Sequence, residues 1–240
     1  MNSFNKIAIV LIVLFLGKVN TYAQITYQDL YKSALLNESV GDYKLALQDI
    51  DNALNLNPQY DSALFLQATI YVKQGEFKLA IKLFDKVLKL NKDYQEVYYY
   101  RGVAKAQTEQ YIDAIKDLNK AIAFDPNFLK AYYNRALAKG RLDDFKGAVE
   151  DLNKVIELDA TYINAYYSRA FWNDMAGNYD QAIADYQKVI GLDASYKEAY
   201  IGMATAMYQH GDKKAACETL SIATEKGSVM AEEIKNKICE

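Results

Sequence analysis

The amino-acid sequence predicts an all-α fold, a solenoid built from repeated pairs of helices. The chain of 240 residues matches itself when it is shifted by 34 residues, and no insertion breaks the register. Within each period, apolar residues recur with the i, i+3, i+4, i+7 spacing of an amphipathic helix. Only two prolines occur in the whole chain, which favours long helices.

Six repeats follow one another, and small residues mark the same places in each. Position 8 is alanine or glycine, from Ala34 to Ala204, and position 20 is alanine, from Ala46 to Ala216. Two helices approach closely where both carry small side chains, so these positions predict the helix crossing. A single helix pair cannot bury both apolar faces, so each pair must stack on its neighbours. The repeats span 27–60, 61–94, 95–128, 129–162, 163–196 and 197–226.

A short turn separates the two helices of each repeat. Glycine fills its left-handed position in four repeats, because only glycine takes a positive φ without steric cost. In the third and fourth repeats, Glu109 and Asp143 replace that glycine. We expect tighter or kinked turns there. The four turn glycines are Gly41, Gly75, Gly177 and Gly211.

The period stops after residue 226, and a capping helix is predicted over 228–239. Gly227 ends the preceding helix, and Ser228 is a suitable N-cap for the next one. The apolar residues Met230, Ala231, Ile234 and Ile238 then share one face, which would cover the last repeat as solenoids require.

The two cysteines lie on either side of Gly227, ten residues before it and twelve after it. An antiparallel hairpin brings such positions opposite each other, so we predict a Cys217–Cys239 disulfide. Two buried thiols are the alternative. A redox-active pair is disfavoured because the C-x-x-C spacing is absent.

The aromatic and small positions together resemble the tetratricopeptide repeat family. Its marks are a 34-residue period, small residues at positions 8 and 20, and an aromatic at position 4. The resemblance covers residue 27 to about 226 and implies a right-handed superhelical solenoid. Lys92, Ala160 and Ala194 depart from the family's proline at position 32. Position 4 here reads Leu30, Leu64, Tyr98, Tyr132, Tyr166 and Tyr200.

An arginine recurs at position 7 of three repeats, with an aspartate sixteen residues downstream of each. Both charges are missing together from the second and sixth repeats, whereas the first keeps Asp49 beside Ser33. We interpret the pairs as structural ion pairs between the two helices of one repeat. The alternative is a cationic ladder that binds acidic peptide ends. The pairs are Arg101 with Asp117, Arg135 with Asp151, and Arg169 with Asp185.

The resemblance also implies a concave groove lined by positions 2, 5, 9, 12 and 13 of the first helices. Aromatic residues with polar tips are good anchors for protein partners. The alternative is that these rings simply pack. The family's carboxylate clamp is not supported, because position 5 is almost wholly aromatic. The groove residues predicted in this way are Tyr31, Phe65, Tyr99, Val103, Tyr133, Leu137, Tyr167 and Phe171.

The first 23 residues are typical of a signal peptide. A basic start is followed by a ten-residue apolar run at 7–16 and by small residues at Thr21 and Ala23. We predict cleavage after Ala23, a periplasmic or secreted location, and no stable membrane anchor afterwards. An uncleaved anchor or a buried helix is the alternative. Loss of Lys6 and Lys18 leaves 26 basic and 31 acidic residues, a net charge of −5.

Several classes of function find little support in this composition. The only histidine is His210, which excludes the common zinc sets and most nucleophile–base pairs. There is no glycine-rich phosphate loop and no basic run suited to nucleic acid. We therefore predict no catalytic residues, no metal and no cofactor.

The sequence favours a non-catalytic interaction module or scaffold that binds a protein or peptide in the groove, outside the cytoplasm. One alternative is a structural component of an envelope assembly, held by its convex face or edges. Another is a groove that binds a small molecule or glycan. The identity of the partner and the oligomeric state stay open.

Overall fold

The computed structural model describes residues 25–239, and the predicted signal peptide at 1–23 lies outside them. The described residues form α-helices joined by short turns, without strands, which confirms the all-α class. None of these helices is both long and apolar enough to cross a membrane. The helices are α1 (Tyr27–Ser39), α2 (Tyr43–Leu56), α3 (Asp61–Lys73), α4 (Phe77–Leu90), α5 (Gln95–Gln107), α6 (Tyr111–Phe124), α7 (Leu129–Gly140), α8 (Phe145–Leu158), α9 (Ile163–Met175), α10 (Tyr179–Leu192), α11 (Lys197–Gln209), α12 (Lys213–Glu225) and α13 (Val229–Ile238).

Local capping explains several helix starts. Thr26 and Asp29 form a capping box at the start of α1, each side chain bonding to the other's backbone N–H. The side chains of Asp42, Asp144 and Asp212 accept hydrogen bonds at the starts of α2, α8 and α12. These caps satisfy backbone N–H groups that have no partner within the helix.

The described residues form two compact bodies, residues 25–66 and 67–239. In the described part of the first body, α1 packs against α2 around Ala34, Ala46 and Ile50. In the second body the pairs α5–α6, α7–α8, α9–α10 and α11–α12 pack together, and each pair contacts the next. The core of the second body therefore continues from one repeat to the next.

The small residues lie at the helix crossings, as the sequence predicts. Ala136 of α7 and Ala148 of α8 are fully buried. Gly102 of α5 is so close to α6 that an added Cβ would stand 3.2 Å from the carbonyl oxygen of Ala114. Larger side chains at these positions would either force the two helices apart or adopt strained rotamers.

The turns of the third and fourth repeats correct the expectation of tighter or kinked geometry. Glu109 (φ 63°) and Asp143 (φ 60°) take the same left-handed conformation as Gly177 (φ 79°). The reason is a shared hydrogen bond that closes each turn. The N–H of Gln110 donates to the carbonyl of Lys105 at 2.9 Å, and the equivalent bond in the glycine-containing turn after α9 is 2.8 Å. Closing that bond requires the positive φ, whichever residue stands there.

The C-terminal helix α13 lies against α11 and α12. Ala231, Ile234 and Ile238 pack on the cluster around Tyr200 and Leu220. Met230, which the sequence places on the same face, lies in the first turn of α13 and is instead 62% exposed. The predicted disulfide is present and joins Cys217 to Cys239.

Candidate functional site

The recurring arginines lie between the two helices of each repeat. Arg135 of α7 donates through Nε and Nη2 to the two carboxylate oxygens of Asp151 in α8, at 2.9 and 2.6 Å. Asp151 is only 4% exposed, so this two-point contact is shielded from water. The same geometry joins Arg101 to Asp117 and Arg169 to Asp185.

Each arginine also reaches back to the preceding repeat. Its Nη1 donates to an acceptor at position 25 there, namely Asp85 for Arg101, Asn119 for Arg135 and Asn153 for Arg169, at 2.6 to 2.7 Å. The sequence analysis paired each arginine only with the aspartate of its own repeat and did not predict this contact. The recurring Asp or Asn at position 25 was the available signal.

The remaining face of each guanidinium lies over an aromatic ring. Arg135 is 5.2 Å from the ring centroid of Tyr132, and the position-4 tyrosines of the neighbouring repeats make the same contact. Nε and both terminal nitrogens are therefore engaged. Because no guanidinium nitrogen is left without a protein acceptor, the geometry favours the structural interpretation over a ladder for acidic peptides.

A second cation approaches two of the buried aspartates. Lys139 lies 2.9 Å from Asp151, and Lys105 lies 2.8 Å from Asp117. The first repeat has Asp49 but no arginine, and there the aspartate is held by neutral donors instead. Ser33 donates to Asp49 at 2.6 Å, and Asn37 donates to the same oxygen.

The aromatic residues at position 5 are half-buried, and most of them pack on the ring at position 34 of their own repeat. The ring centroids of Tyr99 and Phe128 are 4.7 Å apart. Tyr133 and Tyr167 make the same contact with the position-34 tyrosines of their repeats, at 5.4 and 5.2 Å. In the first body Tyr31 packs on a position-34 ring in this way, and Phe65 is half-buried in α3. These rings therefore contribute to packing and are also partly accessible.

The hydroxyls of these tyrosines extend the contact to the next repeat. Asn134 donates to the hydroxyl of Tyr99 at 3.5 Å, and the hydroxyls of Tyr133 and Ser168 are 3.3 Å apart. This series of contacts stops at Tyr167. Asn134 and Ser168 stand at position 6 of their repeats, and position 6 of the sixth repeat is Gly202, which has no side chain. Burial raises the pKa of Tyr99 and of Tyr167, so both hydroxyls stay neutral over the physiological range.

An open cleft of about 510 Å³ lies beside this series, where the C-terminal ends of α5 and α7 meet α9. We call it the α7 cleft. Of the predicted groove residues, Leu137, Tyr167 and Phe171 line it, whereas Tyr99, Val103 and Tyr133 do not. Small side chains, Ala106 and Ala138, leave the space open on the α5 and α7 side.

Trp172 forms much of the opposite wall, and the sequence reasoning missed it. Neighbouring repeats have alanine at this position 10, for example Ala138. The indole fits because Gly140 has no side chain, and an added Cβ there would collide with the Trp172 ring. The ring also stacks on Phe145, with centroids 5.9 Å apart. The signal available in the sequence was the chain's only tryptophan, replacing a small residue.

Several polar groups around the α7 cleft have no partner among the described residues. Gln107 and Arg141 line it, and their side chains make no hydrogen bond or ion pair within the described chain. The indole N–H of Trp172 is buried without an acceptor. Two residues further along α9, and not part of the cleft lining, Asp174 has one carboxylate oxygen buried without a donor, and burial raises the pKa of this carboxyl. Buried polar groups are normally paired, so the indole N–H of Trp172 marks a place where a ligand can contribute, and the exposed side chains of Gln107 and Arg141 are accessible to the same ligand.

The part of the chain that the structure describes holds no group of acidic, histidine or cysteine residues arranged for a metal ion. His210 is half-exposed at the turn after α11, and its Nδ1 lies 3.7 Å from Asp180. A single exposed pair of this kind does not form a nucleophile–base arrangement.

Comparison with known sequences and structures is consistent with this architecture. Profiles described as TPR repeat match residues 68–108 and 105–143, and profiles described as tetratricopeptide repeat match 129–162 and 175–228. A search of curated proteins found no match.

Solved structures give three informative similarities. A crystal structure of MamA protein is 28% identical, covers 74% of this chain and 94% of its own, and superposes with a TM-score of 0.65. A tetratricopeptide repeat protein from Parabacteroides merdae is 20% identical with a TM-score of 0.71, covering 84% of this chain and 80% of its own. YrrB, described as a TPR protein with an unusual peptide-binding site, is 20% identical with a TM-score of 0.68, covering 78% and 97%. At 20% identity, the last two similarities show a shared fold alone.

Proposed function

Because the chain belongs to the tetratricopeptide repeat family, we propose that it is a non-catalytic scaffold that binds a protein or peptide along the first helices of its repeats. The observation that carries this proposal is the series Tyr99, Tyr133 and Tyr167, which ends beside the open α7 cleft. Tyrosine rings that are already held by packing lose little conformational entropy on binding, which makes them effective anchors.

We propose in addition that the protein acts outside the cytoplasm, in the periplasm or as a secreted protein. The signal-peptide pattern at 1–23 and the Cys217–Cys239 disulfide support this location, since disulfides persist in oxidising compartments. Mass spectrometry of the protein from its native cells tests it. A mature N-terminus at Gln24 in the envelope or medium is expected. An intact Met1 in the cytoplasmic fraction would overturn the export proposal.

The binding face is tested by capture experiments with the mature chain and an envelope extract. Tyr99→Ala and Tyr133→Ala are expected to weaken retention of the partner at least several-fold. Ile112→Ala is a matched control, because Ile112 is an exposed apolar residue on the second helix of its repeat. Circular dichroism of each variant verifies that the helices are intact.

The opposite pattern would refute binding through the first helices. If the tyrosine variants retain the partner while Ile112→Ala loses it, the second-helix face carries the interaction. That result would favour the structural role in an envelope assembly.

A further inference from the structure

The α7 cleft has an apolar interior that the chain's own side chains do not fill. Leu137 is half-buried there, Phe171 is 40% exposed, and Trp172 forms the wall. A volume of about 510 Å³ lies within the range of ligand pockets, which is roughly 300–1,000 Å³. It has room for one large apolar side chain together with the backbone on either side of it.

Of the positive charges around the α7 cleft, two are paired with carboxylates of the described residues and one is not. Lys139 and Lys105, which lie on α7 and α5, are both held by buried aspartates. Arg141, at the C-terminal end of α7, is exposed and has no carboxylate partner among the described residues. It is therefore the cation of this cleft that is available to a ligand. A guanidinium in that state is suited to a carboxylate, which it can contact through two parallel hydrogen bonds.

Glu109 is the acidic residue that lines the same cleft, and it belongs to the turn after α5. A ligand carboxylate on that side would meet a like charge, whereas on the α7 side it would meet Arg141. The unpaired amide of Gln107, at the end of α5, can donate to and accept from a peptide backbone. The cleft thus distinguishes the two ends of an extended segment.

We propose that the α7 cleft is the anchor point of the interaction surface and takes a large apolar side chain of an extended peptide, with an adjoining acidic residue paired to Arg141. This inference rests on the proposed function, since it specifies what the scaffold binds. A leucine or phenylalanine next to a glutamate or aspartate is the chemistry that matches the wall, the volume and the free guanidinium.

Trp172 makes the cleft directly observable, because it is the only tryptophan in the chain. We would titrate the mature protein with the capped peptide Ac-GSFEGS-NH2 and follow tryptophan fluorescence. Three further peptides would have alanine in place of phenylalanine, or glutamine or lysine in place of glutamate. Saturable binding of the first peptide is expected. Loss of the phenylalanine ring should weaken binding by about tenfold or more, since burial of the ring supplies most of the affinity.

Two variants test the individual contributions. Arg141→Gln should make the glutamate and glutamine peptides bind equally, where the unaltered protein prefers glutamate by roughly threefold to fivefold at low salt. Lys130→Gln is the matched control. It removes one exposed positive charge from the same helix without touching the cleft lining, and the preference should persist. Ala106→Leu should block the cleft and abolish the fluorescence response.

Three results would overturn the inference. They are the absence of a saturable response to any of these peptides, equal binding of the phenylalanine and alanine peptides, and a preference for glutamate that survives Arg141→Gln. In any of these cases, loss of the captured partner from the Tyr99→Ala and Tyr133→Ala variants would leave the proposed function standing. Retention of the partner by those variants would refute the proposed function separately.

Discussion

Removal of the Asp151 carboxylate should destabilise the fold more than any exposed charge change on the same helices. Asp151 is 4% exposed and receives two hydrogen bonds from Arg135 and a third contact from Lys139. In Asp151→Ala, both cations lose their carboxylate partner in a partly buried setting. Of its side-chain hydrogen bonds, Arg135 keeps only the one to Asn119.

The loss of unfolding free energy depends on which charged groups are left without a partner. Breaking a buried pair by removing one partner costs about 3–5 kcal/mol, and we expect Asp151→Ala to fall in that range. Arg135→Met should cost less, about 2–4 kcal/mol, because Lys139 still neutralises Asp151 and methionine retains part of the packing. The double variant should be less destabilised than the sum, with a coupling energy of about 2–3 kcal/mol.

Urea denaturation of the four proteins, followed by circular dichroism, measures the cycle. The slope of each transition should be compared, because repeat proteins can unfold in parts and a changed slope would signal this. The exposed pair Lys154–Glu157 on α8 is a matched control, with N–O 2.7 Å and an expected coupling of at most about 0.5 kcal/mol. Additive losses for Arg135 and Asp151, within about 0.5 kcal/mol, would refute the pairing as a source of stability.

Four further predictions concern other parts of the second body. Glu109→Gly should stabilise the protein by about 0.5–1 kcal/mol in urea unfolding, because glycine takes the left-handed φ of 63° without strain and this gain exceeds its entropy cost; an equal or lower stability would contradict this. Gly140→Ala should cost about 1–3 kcal/mol through collision with Trp172, with a shift in tryptophan emission, whereas Gly191→Ala, with open space around it, should be neutral or stabilising. Reduction of the disulfide should lower the unfolding free energy by about 3 kcal/mol for a loop of this length, and an unchanged melting temperature in reductant would argue against it. Burial holds the pKa of the Asp174 carboxyl above its ordinary 3.8, so the folded state binds that proton more tightly than the unfolded chain and loses stability as the pH rises from about 4. Asp174→Asn should therefore stabilise the protein at pH 7 and not at pH 3. A gain of equal size at both pH values would refute this explanation.

The binding surface shows where sequence reasoning was sufficient and where it was not. Tyr99 and Tyr133 could be placed on the first helices from their position in the repeat. Their contacts with rings at position 34 could not, because those rings lie in the loop that leads to the next repeat. Trp172 was overlooked, since its role depends on the missing side chain of Gly140, 32 residues earlier. A periodic pattern does not predict a contact between two residues, here Trp172 and Gly140, that both depart from the repeat.

The sequence by itself determined several contacts between helices that follow one another along the chain. The 34-residue period placed the helices, the sixteen-residue offset placed Arg135 opposite Asp151, and the spacing around Gly227 placed Cys217 near Cys239. Two antiparallel helices joined by a short turn have little freedom, so position along the chain is nearly position in space. Contacts between repeats depend on how one pair stacks on the next, which varies with each side chain at the junction. That packing alone decided the third bond of each arginine and the opening of the α7 cleft.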